Sequence, residues 1–97
     1  MIVRLMGEGQ FRVADDVLHE LQQLDDQAGQ AVERGDEDAL RRLLGSMATR
    51  VRERGEPLAD SDLTASDALI PPEDLSLDEA KRLFEAEGLI PDLPAAG

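Results

Sequence analysis

The chain of 97 residues predicts an α+β fold from three features: an apolar stretch of period two at its start, two adjoining stretches of helical period, and a capping signature ahead of a third. Phe11 and Phe84 are the only aromatic residues, and Trp, Tyr and Cys are absent. The core must therefore come from Leu, Val, Ile, Ala and Met, a set that suits helices packed on a small sheet better than a large β-sandwich. A chain of this length makes one small domain, here taken as residues 1–97 with a frayed tail at 93–97.

The opening MIVRLMGEGQFRVA reads as a β-hairpin. A three-residue turn at Gly7-Glu8-Gly9 sets Met6 opposite Gln10, Leu5 opposite Phe11, Arg4 opposite Arg12 and Val3 opposite Val13. That register places Val3, Leu5, Phe11 and Val13 on one face, whereas a two-residue turn would mix the faces. Gly9 suits the left-handed residue of such a loop.

From Asp15 the period becomes helical. Val17, Leu21, Leu24, Ala28 and Ala31 form a stripe broadened by Leu18 and Val32, with Asp25 and Asp26 off it. Asp15 or Asp16 is placed to cap this helix, about 15–34, and Gly35 to end it. A second helix, about 37–54, has Asp36 as N-cap and Leu40, Leu43, Leu44, Met47, Ala48 and Val51 on its buried face. Its acids lead and Arg50, Arg52 and Arg54 close it, as the helix dipole favours. So short a link makes the pair an antiparallel αα-hairpin.

Residues 55–75 have no sustained period and contain Pro57, Pro71 and Pro72. We read them as an ordered connection anchored by Leu58, Leu63, Leu69 and Ile70, with a short third strand near 68–70. Ser76-Leu77-Asp78-Glu79 is a capping box for a C-terminal helix at about 77–87. Leu77, Ala80, Leu83 and Phe84 mark its inner face, Gly88 closes it, Leu89-Ile90 can pack back on it, and Pro91 prevents its continuation.

Charge and composition narrow the function. The net charge is −12, and residues 55–97 carry −9 of it. Nucleic acids and anionic lipid surfaces are disfavoured partners, because both recruit Lys and Arg. The start lacks the basic and long apolar segments of a signal peptide, and no apolar run approaches the ~20 residues of a membrane span, so a cytoplasmic protein is expected. No catalytic, cofactor-binding or metal-binding set stands out, and no cofactor or enzyme activity is expected. His19 is a lone histidine. The Asp60-x-Asp62 start of a calcium loop fails at Ala65 and Pro71, where glycine and a bidentate glutamate are required.

Two surface features suggest partner binding. Arg4 and Arg12 would face each other across the hairpin, a repulsive pair unless an acid such as Glu8 or Glu20, or an acidic partner, lies between them. Ser66-Asp67 with Ile70-Pro71 forms either a turn that starts a strand or a recognition edge. Candidate partner-binding residues are thus Arg4, Arg12, Ser66, Asp67, Ile70 and Pro71.

The run Ile2 to Val13, the helix with Leu21, Leu24, Asp25 and Asp26, and Gly55-Glu56-Pro57-Leu58 belong to one recognisable pattern. Ser66-Asp67-x-x-Ile70-Pro71-Pro72-x-Asp74, Ser76-Leu77-x-Glu79 and Glu87-Gly88-Leu89-Ile90-Pro91 complete it. Together they resemble the PspA-associated family, PspAA. The resemblance implies a functional association with PspA, the coiled-coil protein of the phage-shock response that shields stressed membranes, and it implies no catalytic residue. It leads us to expect a non-enzymatic adaptor or regulator that reaches the membrane indirectly, through PspA or another envelope-stress protein. A homodimeric scaffolding module is the alternative, and a small-ligand sensor a weaker one. The uncovered apolar stripe of the αα-hairpin is the expected contact.

Overall fold

The hairpin, the helical pair and the C-terminal helix all form, and the computed structural model describes them through residues 1–59 and 64–86, with backbone alone for 84–86. Strand β1 (Ile2–Leu5) pairs antiparallel with β2 (Gly9–Arg12). Helices α1 (Asp15–Arg34) and α2 (Glu37–Arg54) follow. Strands β3 (Glu56–Pro57) and β4 (Ala68–Ile70) and helix α3 (Leu77–Ala86) complete the order.

The hairpin register differs from the expected one. Val3 lies opposite Phe11, Arg4 opposite Gln10, Ile2 opposite Arg12 and Leu5 opposite Gly9. The loop is still three residues long, but it is Met6-Gly7-Glu8. Gly7 has φ +86° and the Glu8 N–H donates to the Leu5 carbonyl at 3.0 Å, as in a type II turn with glycine at its third position. Moving the turn by one residue moves the pairing by two, so the alternation of faces survives. Val3, Leu5 and Val13 are buried and Phe11 is half-buried at the margin of the core. Arg4 and Arg12 point to the outer face, but they are not opposite each other.

Four strands form one sheet in the order β3-β2-β1-β4. The short third strand expected near 68–70 is β4, parallel to β1, with Val3 opposite Ala68 and Leu5 opposite Ile70. β3 was not expected: two residues carry no readable period, and Pro57 is acceptable at a sheet edge where no ladder donor is needed. The chain thus leaves one edge of the sheet at β3 and re-enters at the other edge as β4.

The helices cover the inner face. Val17, Leu18, Leu21, Ala28, Ala31 and Val32 of α1 are buried, as are Leu40, Leu44, Met47, Ala48 and Val51 of α2. Ala14 is the N-cap of α1 and makes no side-chain cap bond. Asp15 and Asp16 lie in the first turn instead, where Asp16 Oδ1 accepts the Val17 N–H at 2.9 Å. Gly35 at φ +70° ends the helix, and Asp36 caps α2 by accepting the Ala39 N–H at 3.1 Å. Asp25 corrects the expected stripe, because it is only 7% exposed. Among the described residues no buried side-chain polar atom lacks a partner.

Before α3, Ser76 Oγ accepts the Glu79 N–H at 3.2 Å, and the Ser76 hydroxyl donates to Glu79 Oε1 at 2.9 Å. Ala80 is buried and Leu77 half-buried, whereas Leu83 is exposed and not part of the inner face. Leu69 is exposed too, since alternation along β4 turns it away from the side that Ala68 and Ile70 occupy. The readings made on Asp60, Asp62, Leu63, Gly88, Leu89-Ile90, Pro91 and the 93–97 tail, and on the side chain of Phe84, lie outside the described residues.

Candidate partner-binding surface

The outer face of the sheet gathers most of the candidate residues, and the segment before β4 crosses it. Gln10 Nε2 donates to the Thr64 carbonyl and to Ser66 Oγ, both at 2.7 Å. Arg4 Nε donates to the same hydroxyl at 3.3 Å. The Ile2 N–H donates to Asp67 Oδ2 at 2.9 Å, and the Asp67 N–H returns a bond to the Ile2 carbonyl at 2.8 Å. Residues 64–67 therefore form a strap tied to β1 and β2 by both side chains and backbone. Ile2 and Gln10 are buried beneath it, although both lie on the sheet face turned away from the helices.

Within the monomer Ser66 and Asp67 thus close a polar network, with the Asp67 carboxylate extending the β1–β4 pairing by one residue. Both are exposed beyond those bonds. Ile70 and Pro71 are buried, so they support the surface from behind. Gln10 is the member that residue types alone did not single out, since its partners are 54 and 56 positions away.

The two arginines have different surroundings. Arg12 lies opposite Glu56 of β3, an opposite charge supplied by the strand that sequence reading missed. Arg4 lies between Gln10 and Leu69. The internal acids expected to serve the arginines are engaged elsewhere. Glu8 holds the Arg52 guanidinium, with Nε 2.9 Å from both carboxylate oxygens. Glu20 lies 3.7 Å from Arg50 and 3.1 Å from Arg54, which also meets Asp16 at 2.8 Å. These pairs join the C-terminal end of α2 to the hairpin turn and to the start of α1.

The Glu8–Arg52 pair leaves a signature in acid. Hydrogen bonding from Arg52, helped by its charge and opposed by desolvation, holds the Glu8 carboxyl below the ordinary glutamate value. A lowered folded-state value favours the native state above the unfolded pKa, and that contribution disappears as pH falls through the folded one. The melting-temperature gap between the natural chain and Glu8→Gln should be full at neutral pH and close below pH of about 4. A gap that stays constant from neutral to acid pH would refute the pairing.

The expected contact on the αα-hairpin is largely closed. Its stripe is buried against the sheet, with Leu24 and Leu43 half-buried. Among the described residues the exposed large hydrophobics are Met6 (49%), Leu69 (38%) and Leu83. Leu69 lies beside Arg4 across the β1–β4 ladder, and Met6 lies in the hairpin turn at the mouth of a cleft it shares with Ala48, Arg52 and Pro71.

Searches of curated proteins and of solved structures returned no match. The family profile described as PspA-Associated protein, PspAA, matches residues 1–92, which takes in every element and contact described above. The chain belongs to the PspA-associated protein (PspAA) family.

Proposed function

We propose that this protein is a non-enzymatic adaptor or regulator that acts by protein–protein contact with PspA in the membrane-stress response. The family match over residues 1–92, whose name states an association with PspA, carries this reading. Charge supports an indirect route to the membrane: the chain carries −12, and no described helix is long and apolar enough to span a bilayer. The outer sheet face is the surface assigned to the contact. Arg4, Arg12, Ser66 and Asp67 present polar groups there, with Ile70 and Pro71 packed behind them.

Co-sedimentation tests the proposal directly. The purified chain should stay in the supernatant with anionic liposomes and pellet when the same liposomes carry PspA. Sedimentation without PspA would overturn the indirect route, and failure to pellet with PspA-coated liposomes would overturn the association.

A further inference from the structure

We infer that a second copy of this chain pairs with the open edge of β4, antiparallel and about a two-fold axis at Leu69. The contact is separate from the proposed association with PspA and does not depend on it. The sheet ends in two edge strands of different character. β3 is two residues long and ends in Pro57, which has no N–H, so it gives an incoming strand little to bind. β4 carries neither charge nor proline along Ala68-Leu69-Ile70. β1 flanks it on one side, where the Ile70 carbonyl accepts the Met6 N–H at 3.1 Å. Successive residues of a strand turn their backbone groups to opposite sides, so those of Leu69 point to the open side of the sheet. Among the described residues no turn, loop or side-chain group bonds them. The Leu69 side chain is also exposed, on the outer face.

The donors along this edge decide the occupant. The Asp67 N–H is already given to the Ile2 carbonyl at 2.8 Å, and Pro71 and Pro72 have none. Leu69 therefore offers one donor and one acceptor, with no further donor at the flanking positions. A long foreign strand would gain no extended ladder here. A second β4 matches what is offered, because directly opposed antiparallel residues can exchange both N–H···O bonds with their Cα atoms about 5.5 Å apart. The same register sets Leu69 beside the partner's Leu69, covering on each copy the apolar side chain that the monomer leaves exposed. Such a contact is self-complementary and closed: it uses the β4 edge of both copies and leaves only the β3 edges, which end in Pro57. The two four-stranded sheets become one. Strands of three residues bury little area and each copy carries −12, so the dimer is weak and salt strengthens it by screening the repulsion.

Sedimentation equilibrium of the full chain from about 1 μM to about 1 mM tests the assignment, with amide hydrogen exchange at Leu69 followed over the same range. The molar mass should rise from monomer towards dimer with concentration, and at a lower concentration when salt is added. Exchange of the Leu69 N–H should slow several-fold as the dimer forms. Leu69→Lys, which sets a charge on the edge opposite its like, should remain monomeric with near-natural melting, whereas Leu69→Ile should dimerise as the natural chain does. A natural chain that stays monomeric throughout would overturn the inference. So would a dimer that Leu69→Lys leaves intact, or one that forms without slowing exchange at Leu69. A monomer whose Leu69 N–H is protected only when purified PspA is added would show that a strand of that partner takes the edge; it would overturn the second-copy assignment and leave the association with PspA standing.

Discussion

Leu44→Ala should lower the stability of the fold by about 2–5 kcal/mol, the range for removing a fully enclosed leucine side chain. Leu44 has 0% exposure, midway along α2 and within the single core that joins both helices to the sheet. Leu18, Leu21, Leu40 and Met47 of the same core are themselves almost fully enclosed, and so tightly filled an interior limits collapse into the void. Against the roughly 5–15 kcal/mol available to a small domain, the loss is large. Urea unfolding should show a lower midpoint at unchanged slope, with melting depressed on the order of 10 °C. A change below about 1 kcal/mol would mean that the core is looser around α2 than its burial indicates.

Gly55→Ala should cost about 1–3 kcal/mol through crowding alone. The backbone there is extended, at φ −85° and ψ 158°, a conformation open to any residue. Space is the constraint: an added Cβ would lie 2.6 Å from the Val51 carbonyl oxygen, 3.2 Å from Phe11 Cβ and 3.4 Å from Val13 Cγ1. The same Val51 oxygen accepts the Gly55 N–H at 2.8 Å, so relieving the clash disturbs the helix exit and the start of β3 together. Gly45→Ala is the informative companion. Its Cβ would meet only the carboxylate end of Glu73, at 3.0 Å, and that end can swing aside while the helix gains up to about 1 kcal/mol of propensity. Equal melting of the two variants would remove the distinction between rigid backbone and mobile side-chain neighbours.

Much of this architecture was legible because local chemistry and long-range packing agree. The α1–α2 pair was readable from period, from Gly35 and from the Asp36 cap, each of which acts within a few residues. The Ser76–Glu79 box was readable for the same reason. The hairpin faces were legible but the register was not, because pairings displaced by two residues satisfy the same alternation. What decides between them is Gly7 taking the left-handed turn position. β3 was invisible at two residues, and with it the acid Glu56 that it sets across the ladder from Arg12. The candidate surface was half legible. Ser66 and Asp67 were recognised as special, but their partners Ile2, Arg4 and Gln10 are more than fifty residues away, where spacing carries no signal. Asp25 defied its helical position, since a buried carboxylate looks like any other acid in a periodicity count.

The strap at residues 64–67, tied to β1 and β2 on the outer face, has a kinetic consequence. The α1–α2 hairpin can assemble from contacts close in sequence, but the sheet closes only when Asp67 reaches Ile2, 65 residues away. During synthesis the β1–β2 ribbon emerges first and must wait for both of its flanking strands, the last ending at Ile70. Until then β1 offers an unpaired edge, and the apolar side of a ribbon too short to be stable alone lies open. Docking of the strap is therefore expected to be a late event, with the helices formed before the sheet and the outer face completed after both. The surface assigned to the partner exists only at the end of that sequence, so a nascent or partly folded chain would not present it.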